Sequence, residues 1–77
     1  MDADLATESL LSGPSPLTTR ESEILRLAID GSPVAVIAAR AHLSVGTVRN
    51  HLSAAIGKTG ASTRAEAARL AQSNGWI

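Results

Sequence analysis

Residues 36–52, VIAARAHLSVGTVRNHL, decide the fold, because two helical patterns meet there across a short turn. The apolar stripe of the first pattern runs to about Ala41, and the tight His42-Leu43 connection follows it. Ser44 is then a natural N-cap, because its hydroxyl can accept a hydrogen bond from a first-turn amide of the next helix. Two helices joined by such a turn form a helix-turn-helix. The stretch therefore predicts this motif, with its second helix over about 45–58.

Two further helices are predicted on either side of the motif. Thr18-x-x-Glu21 has capping-box spacing and opens a first helix over about 19–30. Thr63-x-x-Glu66 repeats that spacing and opens a fourth helix over about 64–73. We therefore expect an all-α domain of four short helices over residues 17–77. Residues 1–16, which include SGPSP at 12–16, are predicted to be a linker or tail that can begin with a short helix over 1–11.

The composition excludes several classes of protein. The 77 residues include no cysteine and two histidines, so they offer no zinc-ligand set, and no apolar run approaches the ~18 residues of a membrane span. No phosphate loop or nucleophile beside a base is found. Trp76, the one aromatic residue, leaves little for bases to stack on and is expected to fold back over the fourth helix. We expect a cytoplasmic, non-enzymatic protein with no cofactor, metal or membrane partner.

The formal net charge of zero combines two unlike segments. Residues 1–16 carry three acidic side chains and no basic one, whereas residues 17–77 carry seven Lys and Arg against four Asp and Glu, a net charge of +3. That excess is modest for a nucleic-acid binder. Charge alone therefore leaves nucleic-acid binding as one option among several.

The third predicted helix has an apolar face and a polar face without acids. Its large apolar residues recur at steps of three, four and four, which places them together on a helical wheel: Val45, Val48, Leu52 and Ile56. The other side has small residues and polar groups suited to base edges, namely Asn50 and Ser53, and Arg49, which can pair with guanine, borders one edge of the apolar stripe. The absence of Asp and Glu suits a surface that faces phosphates. From this helix alone, a groove-reading face and an ordinary solvated face both remain open.

Several motifs occur in the order and spacing of the LuxR/NarL-type helix-turn-helix domain, which the segment over about 17–77 resembles. The matching motifs are Leu17-Thr18-x-Arg20-Glu21-x-Glu23-Ile24-Leu25, Gly31, Ile37-Ala38, Ser44-x-x-Thr47-Val48-Arg49-x-His51, Lys58-x-Gly60-Ala61 and Arg64-x-x-Ala67. One departure is Ser53, because members of that family often carry a second Lys or Arg at this place. The departure removes the phosphate or base contact that a basic side chain would make there.

The resemblance implies a transcription regulator that binds double-stranded promoter DNA as a dimer, with the helix at 45–58 in the major groove and two half-sites read. The chain would be the output domain of a two-component response regulator behind an N-terminal receiver or sensor domain, and RNA polymerase is a further candidate partner. Base contacts are expected from Arg49, Asn50 and Ser53. Phosphate contacts are expected from Ser44, Thr47, Lys58, Arg40 and Arg64. The homodimer contact is expected on the fourth helix, through Ala67, Leu70 and Ala71.

Two alternatives remain open from the sequence. A promoter-recognition module of a sigma factor shares the helix-turn-helix and would bind core RNA polymerase without a dimeric operator. A helical protein-interaction domain that has lost DNA binding is compatible with the modest charge and with Ser53. Selection of bound sequences from random duplex DNA separates these alternatives from a dimeric regulator.

Overall fold

The computed structural model describes residues 15–77, and within that range it contains four helices and no strand. The helices are α1 (Thr19–Ala28), α2 (Val34–Ala41), α3 (Val45–Thr59) and α4 (Arg64–Ser73). The expectation of an all-α fold with four helices is confirmed. The short helix expected over 1–11 lies outside the described residues.

The helix starts follow from local side-chain caps. In α1 the Thr18 hydroxyl accepts from the Glu21 amide at 3.1 Å, and a Glu21 carboxylate oxygen accepts from the Thr18 amide at 2.9 Å, which completes the predicted capping box. In α4 the Thr63 hydroxyl accepts from the Glu66 amide at 3.2 Å. The Glu66 carboxylate, however, accepts from the Ser62 amide rather than from that of Thr63. The second capping box is therefore incomplete, because the Glu66 side chain bonds to the residue before the N-cap instead of to the N-cap itself.

The helix ends depend on left-handed residues. Gly31 has φ 81°, and its amide donates to the Ala28 carbonyl at 3.0 Å, so α1 ends two residues before the predicted position 30. His42 closes α2 with φ 58°, which is unusual for a residue with a side chain. The Leu43 amide then bonds back to the Ala38 carbonyl at 2.9 Å. This turn is tight enough to bring Ser44 directly to the N-cap of α3.

The core is built from a few large aliphatic residues and many alanines. The largest fully buried side chains are Ile24, Leu25, Ile37 and Val48. Buried alanines from all four helices complete the core and allow the helices to approach closely: Ala28, Ala38, Ala41, Ala55, Ala67, Ala68 and Ala71. Helix α3 packs against α1, α2 and α4, so its inner face is held from three sides. Its outer face is left for solvent or a partner.

The chain end returns to the core, as expected for Trp76. The Trp76 amide donates to the Ala71 carbonyl at 2.8 Å, and the half-buried indole packs against the core cluster. Its ring N–H is buried without a hydrogen-bond partner among the described residues. This contact packs the residues that follow α4 against the core of the domain.

Val45 differs from its predicted place on the core side of α3. Its side chain is 38% exposed. The wheel assigns it to the apolar stripe by angle alone, but Val45 is the first residue of α3, where no preceding turn of helix exists to pack beside it. Angle on a wheel therefore overestimates burial at the end of a helix.

Candidate nucleic-acid interface

The outer face of α3 is a continuous exposed surface of small and polar residues. Gly46, Asn50, Ser53 and Gly57 follow one another at steps of four, three and four, and all four are exposed. Arg49 is exposed along one edge of this line. On the opposite side, Val48, Leu52 and Ala55 are buried. The structure therefore brings the three predicted base-contact residues together on one accessible face, which we call the α3 outer face.

Two glycines on the α3 outer face are not required by the fold. A Cβ atom built on Gly46 or Gly57 meets no atom of residues 15–77 within 4 Å, and neither residue has the positive φ that favours glycine. Glycine inside a helix costs up to about 1 kcal/mol relative to alanine. No contact among the described residues accounts for this cost.

The N-terminal end of α3 has features that favour an anion. The Ser44 hydroxyl accepts from the Thr47 amide at 3.1 Å and donates to the Thr47 hydroxyl at 2.8 Å. Within the described residues, the amides of Val45 and Gly46 have no hydrogen-bond acceptor. The first turn also contains no acidic residue. Free amides and the positive end of the helix dipole favour a phosphate oxygen at this position.

The predicted cationic phosphate contacts lie in different surroundings. Arg40 is 54% exposed on α2, and its guanidinium lies 4.0 Å from the Asp30 carboxylate. Hydrogen bonds from Ser32 hold the pKa of Asp30 below its usual range, with a smaller contribution from the charge of Arg40. Arg64 is half-buried and donates to the Ser32 carbonyl, which ties the start of α4 to the loop after α1. Arg40 thus keeps about half of its side chain exposed beside a long ion pair, whereas Arg64 is already bonded to the backbone of the loop after α1.

Lys58 makes an ion pair that the sequence did not suggest. Its ammonium lies 2.8 Å and 3.0 Å from the two carboxylate oxygens of Glu21, a buried residue in the first turn of α1. Burial raises the pKa of Glu21, but the bonds from Lys58 and Thr18 outweigh this effect and leave the pKa below its ordinary value. Residues 37 positions apart form the contact, so no local spacing rule could reveal it.

Residues 15–71 match the family described as bacterial regulatory proteins, luxR family. The match spans the whole helix-turn-helix and most of α4. The chain belongs to this family. A LuxR-family domain of this kind is a DNA-binding module of transcription regulation, which fits the accessible, acid-free α3 outer face.

Three curated relatives are regulators. The chain is 50% identical over 76 residues to the Streptomyces coelicolor protein named response regulator RamR, covering 99% of this chain and 38% of that protein. It is 46% identical over 71 residues to the uncharacterized transcriptional regulatory protein YvfU of Bacillus subtilis, covering 92% and 36% of the two chains. It is 39% identical over 70 residues to the B. subtilis transcriptional regulatory protein DesR, covering 91% and 35%. The chain thus spans little more than a third of the length of these relatives.

The dimer residues expected for this LuxR-family domain need correction. Ala67 and Ala71 are fully buried in the core of the domain, so neither has surface to offer to a second copy. The small size of these two alanines lets α4 pack closely on the other helices of the same domain. Leu70, by contrast, is half-buried. The exposed residues of α4 are Ala65, Arg69, Gln72 and Ser73.

The described part of this LuxR-family domain contains no helix long and apolar enough to cross a membrane. Among residues 15–77 there is also no group of three His, Cys, Asp or Glu side chains that could hold a metal ion.

Proposed function

We propose that this domain binds promoter DNA in a sequence-specific manner by placing α3 in the major groove. The observation that carries the proposal is the α3 outer face, which is accessible and contains no acidic residue. It also contains two glycines for which no contact among the described residues requires the absence of a side chain. Arg49 and Asn50 are the side chains that read base edges, because Arg pairs with guanine and Asn with adenine in that groove. Ser53 adds a shorter contact from the middle of the same face.

Phosphate binding is proposed at the N-terminal end of α3 and on α2. Ser44 and Thr47 stand beside the two free amides of the first turn, where a phosphate oxygen would be favoured by the helix dipole. Arg40, with 54% of its side chain exposed, supplies a cation from the preceding helix. Arg64 can contribute only by giving up or sharing its bond to the Ser32 carbonyl. These contacts orient the domain on DNA, and the α3 residues supply the sequence preference.

We also propose that two copies bind together through the exposed side of α4. Ala65, Arg69 and Gln72 line an open groove of about 330 Å³ beside Ile29, whose side chain is 44% exposed. This apolar and basic surface lies at the C-terminal end of α1 and on α4, and Arg64 is the one residue lining it that is also proposed to contact a phosphate. It replaces Ala67 and Ala71 as the proposed contact surface, and Leu70 does not line this groove.

In the full-length protein we propose an N-terminal receiver domain ahead of this output domain. The relatives extend well beyond the matched segment, and one of them is named a response regulator. Because all three are named as regulators, we favour this assignment over the sigma-factor module and over a protein-interaction domain without DNA binding. RNA polymerase remains a candidate partner for which no surface is assigned.

The test is selection of bound sequences from random double-stranded DNA, using the 77-residue chain. A dimeric helix-turn-helix protein should enrich a motif with two related halves about 10–10.5 bp apart, or a multiple of that distance. A single half-site would support groove reading but contradict the paired arrangement. Failure to enrich any sequence at low salt would contradict the proposed function and favour the protein-interaction alternative.

A further inference from the structure

Glu21 is the one buried charged residue among residues 15–77. It lies in the first turn of α1, and its side chain is 6% exposed. Its partner Lys58 lies in the last turn of α3 and has 39% of its side chain exposed. A carboxylate in such a place is costly unless its oxygens are satisfied. The hydrogen bonds that the Glu21 carboxylate accepts therefore indicate its role in the structure.

Both oxygens of Glu21 are occupied, and one of them joins two parts of the domain. The Oε1 atom accepts from the Thr18 amide at 2.9 Å and from the Lys58 ammonium at 2.8 Å. The Oε2 atom accepts from the same ammonium at 3.0 Å. The C-terminal turn of α3 is thus fastened to the N-terminal turn of α1 through one carboxylate.

Capping alone does not explain this arrangement. Glu66 has the same position in the first turn of α4 as Glu21 has in α1, and Thr63 caps that helix as Thr18 caps α1. Glu66 accepts a backbone amide, as Glu21 does, but forms no ion pair within the described residues. The Lys58 bond is therefore an addition to the cap, and it acts on α3.

We propose that Glu21 is a positioning residue for DNA recognition, which holds the C-terminal end of α3 through Lys58 while the α3 outer face reads the groove. It follows that the Lys58 charge is neutralised by the protein rather than by a DNA phosphate. This revises the expected phosphate contact of Lys58. The inference rests on the proposed function, since it concerns the placement of the helix that reads DNA.

The first test compares specific and non-specific DNA affinity in Glu21→Gln, Lys58→Met and the double variant, under conditions where circular dichroism shows each to be folded. Each single change should lower affinity for the selected site about twofold to thirtyfold, the range expected when a residue acts through a neighbour. Affinity for unrelated duplex should stay the same. The double variant should be no weaker than the weaker single variant, because both changes remove one interaction.

Two matched variants act as controls. Glu66→Gln removes a carboxylate from the same position of a capped helix, and it should leave DNA affinity unchanged because no cation depends on it. Lys58→Arg keeps the positive charge beside Glu21, and it should retain most of the affinity. If Glu66→Gln lowers specific affinity as much as Glu21→Gln, helix capping rather than positioning of α3 explains the effect, and the inference is overturned.

The salt dependence separates the two roles of Lys58. A lost phosphate contact would reduce the slope of log affinity against log salt by about 0.9. We expect Lys58→Met to keep the wild-type slope. A slope lower by about 0.9 would assign Lys58 to a phosphate and overturn the inference, as would wild-type specific affinity in folded Glu21→Gln.

A measurement on the unaltered chain covers the case in which the variants fail to fold. The NMR signals of the Glu21 carboxyl carbon and the Lys58 ammonium should stay unchanged when the selected DNA is added, because the ion pair persists. Transfer of the ammonium to a phosphate would shift both signals and contradict the inference. Failure of the wild-type chain to bind any DNA would instead refute the proposed function.

Discussion

The glycines of the α3 outer face lead to a prediction in which stability and binding move in opposite directions. A Cβ added to Gly46 or Gly57 meets no atom within 4 Å in the described part of the chain, so Gly46→Ala and Gly57→Ala should both fold without strain. Each should stabilise the domain by about 0.5–1 kcal/mol, because alanine loses less conformational entropy in a helix. For a domain of this size, that gain corresponds to a rise in Tm of roughly 2–8 °C.

The two substitutions should differ in their effect on DNA affinity. Recognition helices contact base edges mainly through their N-terminal residues. Gly46 is the second residue of α3, whereas Gly57 lies near its end, which is about 16 Å further along at 1.5 Å per residue. A methyl group forced into a close contact costs about 1–3 kcal/mol, and Gly46→Ala should therefore weaken specific binding roughly fivefold to 150-fold. Gly57→Ala should bind more nearly like the wild type.

The assay combines thermal unfolding with fluorescence-anisotropy titration of a selected DNA site. Gly57→Ala is the matched control, because it makes the same chemical change on the same face of the same helix. Equal affinity of Gly46→Ala and the wild-type chain would refute the reasoning, since DNA would then not approach α3 at its N-terminal end. Destabilisation of either variant would contradict the claim that the fold does not need these glycines.

Three further predictions concern base reading, acid stability and pairing. Asn50→Ala should reduce discrimination at one base pair by about 1–3 kcal/mol, seen as loss of preference at one position in a repeated selection, and an unchanged motif would refute its role. Glu21→Gln should lower the free energy of unfolding at pH 7 by about 1–2 kcal/mol, a figure reduced because Lys58 is partly exposed. The folded-state pKa of Glu21 lies below its ordinary value, so its stabilisation is present above the unfolded-state pKa of about 4.3 and is lost as pH falls through the folded-state pKa. Urea unfolding from pH 7 to pH 3 should thus show a smaller loss of stability in the variant, and parallel curves would refute the assignment. Arg69→Glu should reverse a charge in the proposed α4 contact and weaken binding to a two-half-site DNA far more than to a single half-site, and equal effects in a gel-shift assay would contradict that contact.

Local sequence signals determined the helices because their physical causes span only one or two turns. Thr18 and Thr63 mark the starts of α1 and α4, because each hydroxyl accepts a hydrogen bond from the amide three residues later. Gly31 marks the end of α1 by its left-handed backbone, although the helix ends two residues before the predicted position. The α3 outer face followed from periodicity, because a helix repeats every 3.6 residues whatever packs against it.

Tertiary structure decided which side of each helix was covered and which charges met. The small size of Ala67 and Ala71 suits a dimer contact and a close-packed core equally well, and only the position of α4 against its neighbours shows that they are buried. Val45 has a core-like angle on the wheel but no neighbouring turn to cover it. The Glu21–Lys58 pair joins residues 37 positions apart, and a contact of that range depends on the packing of α1 against α3 rather than on any local spacing. The sequence by itself therefore determined the helix-turn-helix and the small, polar outer face of α3, and tertiary packing determined the contact between Glu21 and Lys58.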